Sequence, residues 1–469
     1  MNALWAMLER AGGEEYARTR ARSERLHGAL VARGLSKGER FAVLSWNTSD
    51  YLELYFAAAR GGFVLCPLNA RLAPPEIAAI LEDSGARFVL EGAVGLERLC
   101  KEVPPVAEVE YDAPAQLYYT SGTTGKPKGV VLTQRNVDVH ARAAIAELGL
   151  SEKDTWAHIA PMFHLADAWA IFAITAVGGR HVYLPRFEPQ AALELLVKER
   201  VTITNLIPTM LNLMVRHPSA HGRDYTHLRA ILSGGAPIAP ALVREILELF
   251  RCQYVQTYGM TETSPYLTLG LLKPHLEALP LEERLRWLAK TGRPFQGVEL
   301  RVVDEQGADV PADGKSVGEI RVRGETITPG YWNQPEVTAA AFDGRWLKTG
   351  DLATLDHEGF VNIVDRKKDM ILTGGENVYS TEVEHVLYTH PAVLEVAVYG
   401  LPDELWGERV CAAVVLRSGK SASIEELQHF CREQLASYKV PRAIEFLPEL
   451  PRTGSGKIQK HALRERARR

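Results

Sequence analysis

Between residues 14 and 90 the chain alternates helical and extended stretches. A helix runs to Gly34, an apolar strand covers 41–44, a second helix is closed by Gly61 and Gly62, and a strand follows at 63–66. Pro74 opens the next helix, and residues 88–90 are again extended. Repetition of this kind builds a parallel sheet covered by helices. The rhythm returns further on, with β-rich runs at 202–206 and 230–232 between helices that carry apolar stripes. At 469 residues the chain exceeds one hydrophobic core, and its 46% apolar content suffices for several domains. Short strands parted by Gly, Pro and Asp turns mark 297–364 as a small β-rich subdomain. A charged run, Arg366, Lys367, Lys368 and Asp369, then follows Asp365. The expected fold is α/β, with a large N-terminal domain of helix-layered sheets over 1–364 and a small α+β C-terminal domain over 365–469.

The charge is spread along the chain, 54 basic against 58 acidic residues for a net −4, so no field is present to collect nucleic acid. Five cysteines, Cys66, Cys100, Cys252, Cys411 and Cys431, form an odd set without CxxC spacing, against a disulfide framework or a zinc site. The first ten residues lack the basic and apolar regions of a secretory signal, and no apolar run reaches membrane-spanning length, so a cytoplasmic protein without integral membrane association is expected.

Residues 118–130 read YYTSGTTGKPKGV, a strand-like entry into a loop that closes on two lysines. Such a loop can cradle phosphate. Gly122 and Gly125 let backbone amides approach an anion, the hydroxyls of Thr120, Ser121, Thr123 and Thr124 can donate to phosphoryl oxygens, and Lys126 and Lys128 add positive charge. The pattern is not GxxxxGK[ST], because Pro127 follows the first lysine. Glu262, one residue after Thr261 in a glycine-containing turn, is placed to hold Mg²⁺ against phosphate oxygens; alone it would read as a surface charge. Asp351 follows a Thr-Gly turn, where a carboxylate can accept from two ribose hydroxyls or simply form the turn.

The string at 118–130 is followed in order by PMFH at 161–164, SGGAP at 233–237, YGMTETSP at 258–265, GRP at 292–294, TGD at 349–351, DRKKDMILTGGENVYSTEVE at 365–384 and PRTGSGKIQK at 451–460. Together they resemble the adenylate-forming superfamily of acyl-CoA synthetases, luciferases and peptide-synthetase adenylation domains. The resemblance implies ATP and coenzyme A as substrates beside a small carboxylic acid, with Mg²⁺ as cofactor. It puts Thr120 and Glu262 on magnesium-bound ATP, and Ser121, Gly122, Thr123, Thr124 and Lys128 at the phosphates. Gly234, Gly235, Ala236, Thr257, Tyr258, Gly259, Met260 and Thr261 correspond to residues around the nucleotide, with the Tyr258 ring stacked on adenine. Asp351 and Arg366 resemble the ribose ligands, Lys368 joins the nucleotide set, and Asp365 resembles the hinge of a mobile C-terminal domain. Lys457, in a glycine-flanked loop, corresponds to the ammonium that offsets charge building on the phosphoryl oxygens.

His164, beside Phe163 and Leu165, reads on its own as a core residue; the resemblance sets it near the acyl carboxylate, with Gly235 and with Trp169 as wall or gate of an acyl pocket. Gly374, Gly375 and Glu376 resemble a loop lining the pantetheine channel, and Trp406 an aromatic residue near CoA; a tight turn and a core tryptophan are the plain alternatives. The segment 273–294 resembles an insertion of medium- and long-chain fatty acyl-CoA synthetases. An ATP-dependent acid:CoA ligase acting on a fatty acid is therefore expected. The rivals are an adenylating enzyme with another acid or acceptor, and a non-catalytic nucleotide-binding protein on the same scaffold. The region before 118 is short for the family, which leaves a homodimer open.

Overall fold

The computed structural model describes residues 2–121, 127–236, 238–452 and 458–467, and the chain divides into two compact units, Met1–Leu300 with Val322–Leu347 and Arg301–Arg321 with Lys348–Arg469. In the first unit the alternation over 14–90 becomes helices Glu14–Ala32, Ser49–Gly61 and Pro74–Ser84 between strands β1 (Arg40–Leu44), β2 (Val64–Leu68) and β3 (Val89–Leu90). Gly62 ends the second helix at φ 64°, a left-handed conformation that suits glycine. With β4 (Pro114–Ser121) and β5 (Pro127–Thr133) these strands form a sheet of order β3-β1-β2-β4-β5, parallel except for the β4–β5 hairpin.

A second sheet holds β6 (Thr155–His158), β7 (Arg180–Tyr183), β8 (Ile203–Asn205), β9 (Ala230–Ser233), β10 (Gln253–Gly259), β11 (Tyr266–Leu269) and β12 (Arg293–Pro294), in the order β12-β11-β10-β9-β8-β6-β7. Strands β6 to β10 pair in parallel; β11 and β12 run antiparallel. Helices Pro189–Lys198, Pro208–Val215 and Pro240–Phe250 each begin with proline, whose missing N–H costs nothing in a first turn. Leu193, Leu211, Val243 and Ile246 of these helices pack with Ala157 and Ile231 of the sheet. The parallel strands therefore end together, and loops leaving their carboxyl ends share one edge, where ligands of such sheets bind. One element went unread: residues 3–10 fold as helix Ala3–Arg10, burying Leu4, Trp5, Met7 and Leu8.

The second unit carries residues 348–355 of strand Trp346–Leu355, antiparallel to Val361–Arg366, and a sheet in the order Glu376–Val378, Ile371–Thr373, Gly407–Leu416, Val393–Asp403, with Ala443–Phe446 parallel to Gly407–Leu416. Alternate residues of its long hairpin bury on opposite faces. Val396, Val398, Ala412 and Val414 meet helices Ser380–Tyr388 and Ile424–Arg432, while Ala397, Tyr399, Cys411 and Ala413 meet Leu463. The stretch expected to be β-rich, 297–364, is apportioned between the two units.

Candidate functional site

The hairpin β4–β5 sets Thr120 opposite Lys128 and Ser121 opposite Pro127. Gly122, Thr123 and Thr124 lie outside the described residues. The Lys128 ammonium sits over the Tyr331 ring, 5.4 Å from its centroid, and the Tyr331 hydroxyl donates to Glu262 Oε1 at 2.9 Å. Backbone bonds fix this set: Thr328 N–H donates to Glu262 O at 2.8 Å, Trp332 N–H to Gly129 O at 2.7 Å, and Tyr331 bridges to Val130. Burial, aided by the Glu262 charge, holds the Tyr331 phenol above its usual range, so it is a donor to the carboxylate and not a base. Tyr331 was missed from sequence, because an aromatic residue after Pro-Gly signals only a turn.

Glu262 lies in the tight turn Thr261–Thr263 between β10 and β11 and is buried. The turn demands glycine at 259, where a Cβ would come within 1.8 Å of Pro265 O. Next to it, β9 and β10 run side by side with Ser233 opposite Gln256, and Thr257 Oγ1 donates to Ser233 O at 3.1 Å. A Cβ on Gly234 would stand 2.2 Å from that Oγ1, so only glycine lets the strands approach so closely. Gly234 to Ala236 and Thr257 to Met260 thus emerge at neighbouring strand ends. Gly235 and Ala236 are exposed and Tyr258 is half-buried, a floor and a ring of the kind that holds a base.

His164 closes the turn after β6 and caps helix Leu165–Ala176, its N–H donating to Pro161 O at 2.9 Å and its ring 4.8 Å from that of Phe163. Trp169 is only 2% exposed. It packs among Trp156, Tyr266 and His140 at centroid distances of 5.0, 5.2 and 5.6 Å, with its indole N–H on Ala166 O. The turn itself is clamped by Asn47, which sequence reading passed over.

In the second unit, Asp351 pairs with Arg366 across adjacent strands, Arg366 Nε lying 3.6 Å from Asp351 Oδ1. Thr349 Oγ1 accepts from Asp351 N–H at 3.1 Å, and Lys367 N–H closes on Gly350 O at 2.9 Å, so the carboxylate is held while its guanidinium partner stays exposed. Lys368 is exposed too. Asp365 is buried and accepts from the N–H groups of Arg366 and Ser380, which fixes the start of helix Ser380–Tyr388. Burial raises its carboxyl above the ordinary value, against the pull of Lys460. Lys457 lies outside the described residues.

Gly374 and Gly375, at φ 61° and 82°, form the two-residue turn joining Ile371–Thr373 to Glu376–Val378. Gly374 N–H donates to Trp406 O at 2.8 Å, and a Cβ there would meet the Trp406 ring at 2.8 Å. The Arg442 guanidinium covers that ring at 4.4 Å. The four residues expected around CoA thus lie close along the chain and turn, Glu376 among them exposed, with Leu372 and Leu405 exposed beside them. Arg442 is an addition that sequence spacing did not flag.

Among the described residues no group of three or more His, Cys, Asp or Glu gathers into a metal cage. The single buried Glu262 carboxylate, anchored by the Tyr331 hydroxyl, fits Mg²⁺, which takes most of its ligands from water and phosphate.

The family model for AMP-binding enzymes matches residues 6–332, and that for the AMP-binding enzyme C-terminal domain matches 382–457. A long-chain-fatty-acid–CoA ligase of Thermus thermophilus is 37% identical, over 98% of this chain and 95% of its own. Feruloyl-CoA synthase of an Amycolatopsis species is 38% identical, over 96% and 93%. Among solved structures, ATP-bound MatB from Rhodopseudomonas palustris superposes with a TM-score of 0.90 at 30% identity over 99% of both chains. O-succinylbenzoate coenzyme A synthetase from Bacillus subtilis, in complex with ATP and magnesium ion, gives 0.83 at 33% identity over 97% and 94%.

Proposed function

This chain belongs to the AMP-binding enzyme family and is an acyl-CoA ligase, and we propose that it joins a fatty acid to coenzyme A in the cytoplasm through an acyl-adenylate. In the first step a carboxylate oxygen attacks the α-phosphorus of ATP, the bond to the β-phosphate breaks, and pyrophosphate leaves. In the second, the sulfur of CoA attacks the acyl carbon, AMP leaves, and the thiol proton passes to solvent. The phosphates lie on Thr120, Ser121, Gly122, Thr123, Thr124 and Lys128, adenine on Gly234 to Ala236 and Tyr258, and ribose on Asp351 and Arg366. Thr120 and Glu262 would hold Mg²⁺, which would draw charge from the phosphate oxygens. His164 and Gly235 face the acid, Lys457 neutralises the charge that builds on the α-phosphate, and the hinge of the stretch 365–469 is Asp365. CoA runs by Gly374, Gly375, Glu376 and Trp406.

The observation that carries this reading is the assembly of Lys128, Tyr331 and Glu262 against the hairpin that bears Thr120, a cation on the hairpin linked through one tyrosine to an anchored carboxylate on the turn after β10. The experiment is exchange of labelled pyrophosphate into ATP, run with Mg²⁺ and a panel of fatty and aromatic acids, followed by thioester formation with CoA. Exchange that depends on a fatty acid supports the proposal. Exchange with aromatic acids alone reassigns the substrate, and its absence with every acid removes the activity.

A further inference from the structure

Two loops that must act on the same reacting atoms leave different sheets of the first unit: the hairpin carrying Thr120 belongs to the first, and the turn carrying His164 follows β6 of the second. One helix, Ser49–Gly61, and the residue before its cap reach both. Asn47 donates through Nδ2 to His158 O and Ala160 O, each at 2.9 Å, and its Oδ1 accepts from Met162 N–H at 2.7 Å. In the same turn the Met162 carbonyl accepts from the Tyr55 hydroxyl at 3.1 Å. Tyr55 has one proton, so in its 2.8 Å contact with Tyr118 the Tyr118 hydroxyl is the donor. Tyr118 stands two residues before Thr120 on β4, on the same face of the strand. Asn47, Tyr55, Tyr118 and Met162 are all at most 4% exposed, so water does not compete for these bonds.

We propose that Asn47, Tyr55 and Tyr118 form a buried strut that fixes the distance between the phosphate-binding hairpin and the acid-facing turn, and so aligns the attacking carboxylate with the α-phosphate. This rests on Thr120 and His164 facing nucleotide and acid as proposed above. Asn47, Tyr55 and Tyr118 are buried and act through the loops they hold, as positioning residues. The strut contributes to the rate by geometry, where a misplacement of about 1 Å can cost on the order of 10²-fold. Each substrate, bound alone to its own loop, gains nothing from it.

The test uses Tyr55→Phe, Tyr118→Phe and the double variant, which remove single oxygens and keep the ring packing. Tyr225→Phe is the control, since it breaks a buried tyrosine bond to Ala220 O on another part of the same unit. Acid-dependent pyrophosphate exchange should show kcat lowered about 10- to 100-fold in Tyr55→Phe, with KM for ATP and for acid each within about twofold. The double variant should be no slower than Tyr55→Phe, because the bonds act in series. Tyr225→Phe should melt earlier with kcat unchanged. The strut is overturned if the Tyr55 and Tyr118 variants behave as the Tyr225 control does, if KM rises while kcat holds, or if the two losses multiply. A wild-type protein without acid-dependent exchange would overturn the functional reading itself, and the strut's catalytic role with it.

Discussion

Single residues decide the chemistry through what holds them. Glu262→Gln keeps the shape of the turn but not its charge, and exchange should fall about 10²-fold with a higher Mg²⁺ requirement, read from magnesium titrations of the rate. Tyr331→Phe removes one donor from that carboxylate and should cost about tenfold; an unchanged magnesium profile in both variants would take Glu262 out of the site. Lys457→Ala should abolish adenylate formation while thioester formation from supplied acyl-AMP continues, and equal loss in both assays counts against its assigned role. Sequence motifs supplied Glu262 and Lys457 but not Tyr331 or Asn47. The bond from Tyr331 spans 69 positions and those of Asn47 span 111 to 115, and a lone polar side chain gives no periodic signal of so distant a partner.

At the scale of elements, the glycine turn at 374 and 375 separates backbone strain from contact. Alanine at 375 meets nothing within 4 Å and pays only for its left-handed φ, roughly 1 kcal/mol. Alanine at 374 must also push Trp406 aside. We expect Gly374→Ala to raise KM for CoA about tenfold in thioester formation and to leave pyrophosphate exchange intact, with Gly375→Ala near wild type in both. If both variants match wild type for CoA, the turn has no part in that step. Most strands and helices over 14–90 were legible because apolar runs there end on glycine or begin on proline. Helix Ala3–Arg10 was not, since eight residues hold only two turns of pattern and its burial of Trp5 and Leu8 depends on partners far along the chain.

For the molecule as a whole, buried titratable groups set the response to acid. Burial lowers His27 to about 4 and His140 to about 3, so both stay neutral in the fold while the unfolded chain takes up protons below about 6.5. Their contribution to stability is therefore lost as pH falls through that window. Glu53, pushed up to about 7 by burial against the pull of Arg22, works the other way: the fold binds its proton first, and stability is gained as pH falls from 7 toward 4.5. Glu53→Gln deletes the opposing contribution, so the stability lost between pH 7 and 5 should grow by about 1 kcal/mol per pH unit, measured by urea unfolding at each pH. An unaltered slope would mean that Glu53 is ionised in the fold.

The backbone tie between Glu262 and Thr328, with Tyr331 just beyond, bears on inheritance. A crossover anywhere in the intervening sixty-odd residues would draw the carboxylate from one parent and its holder from another. Recombinants bred from relatives at a third identity should survive best when both arrive from the same parent.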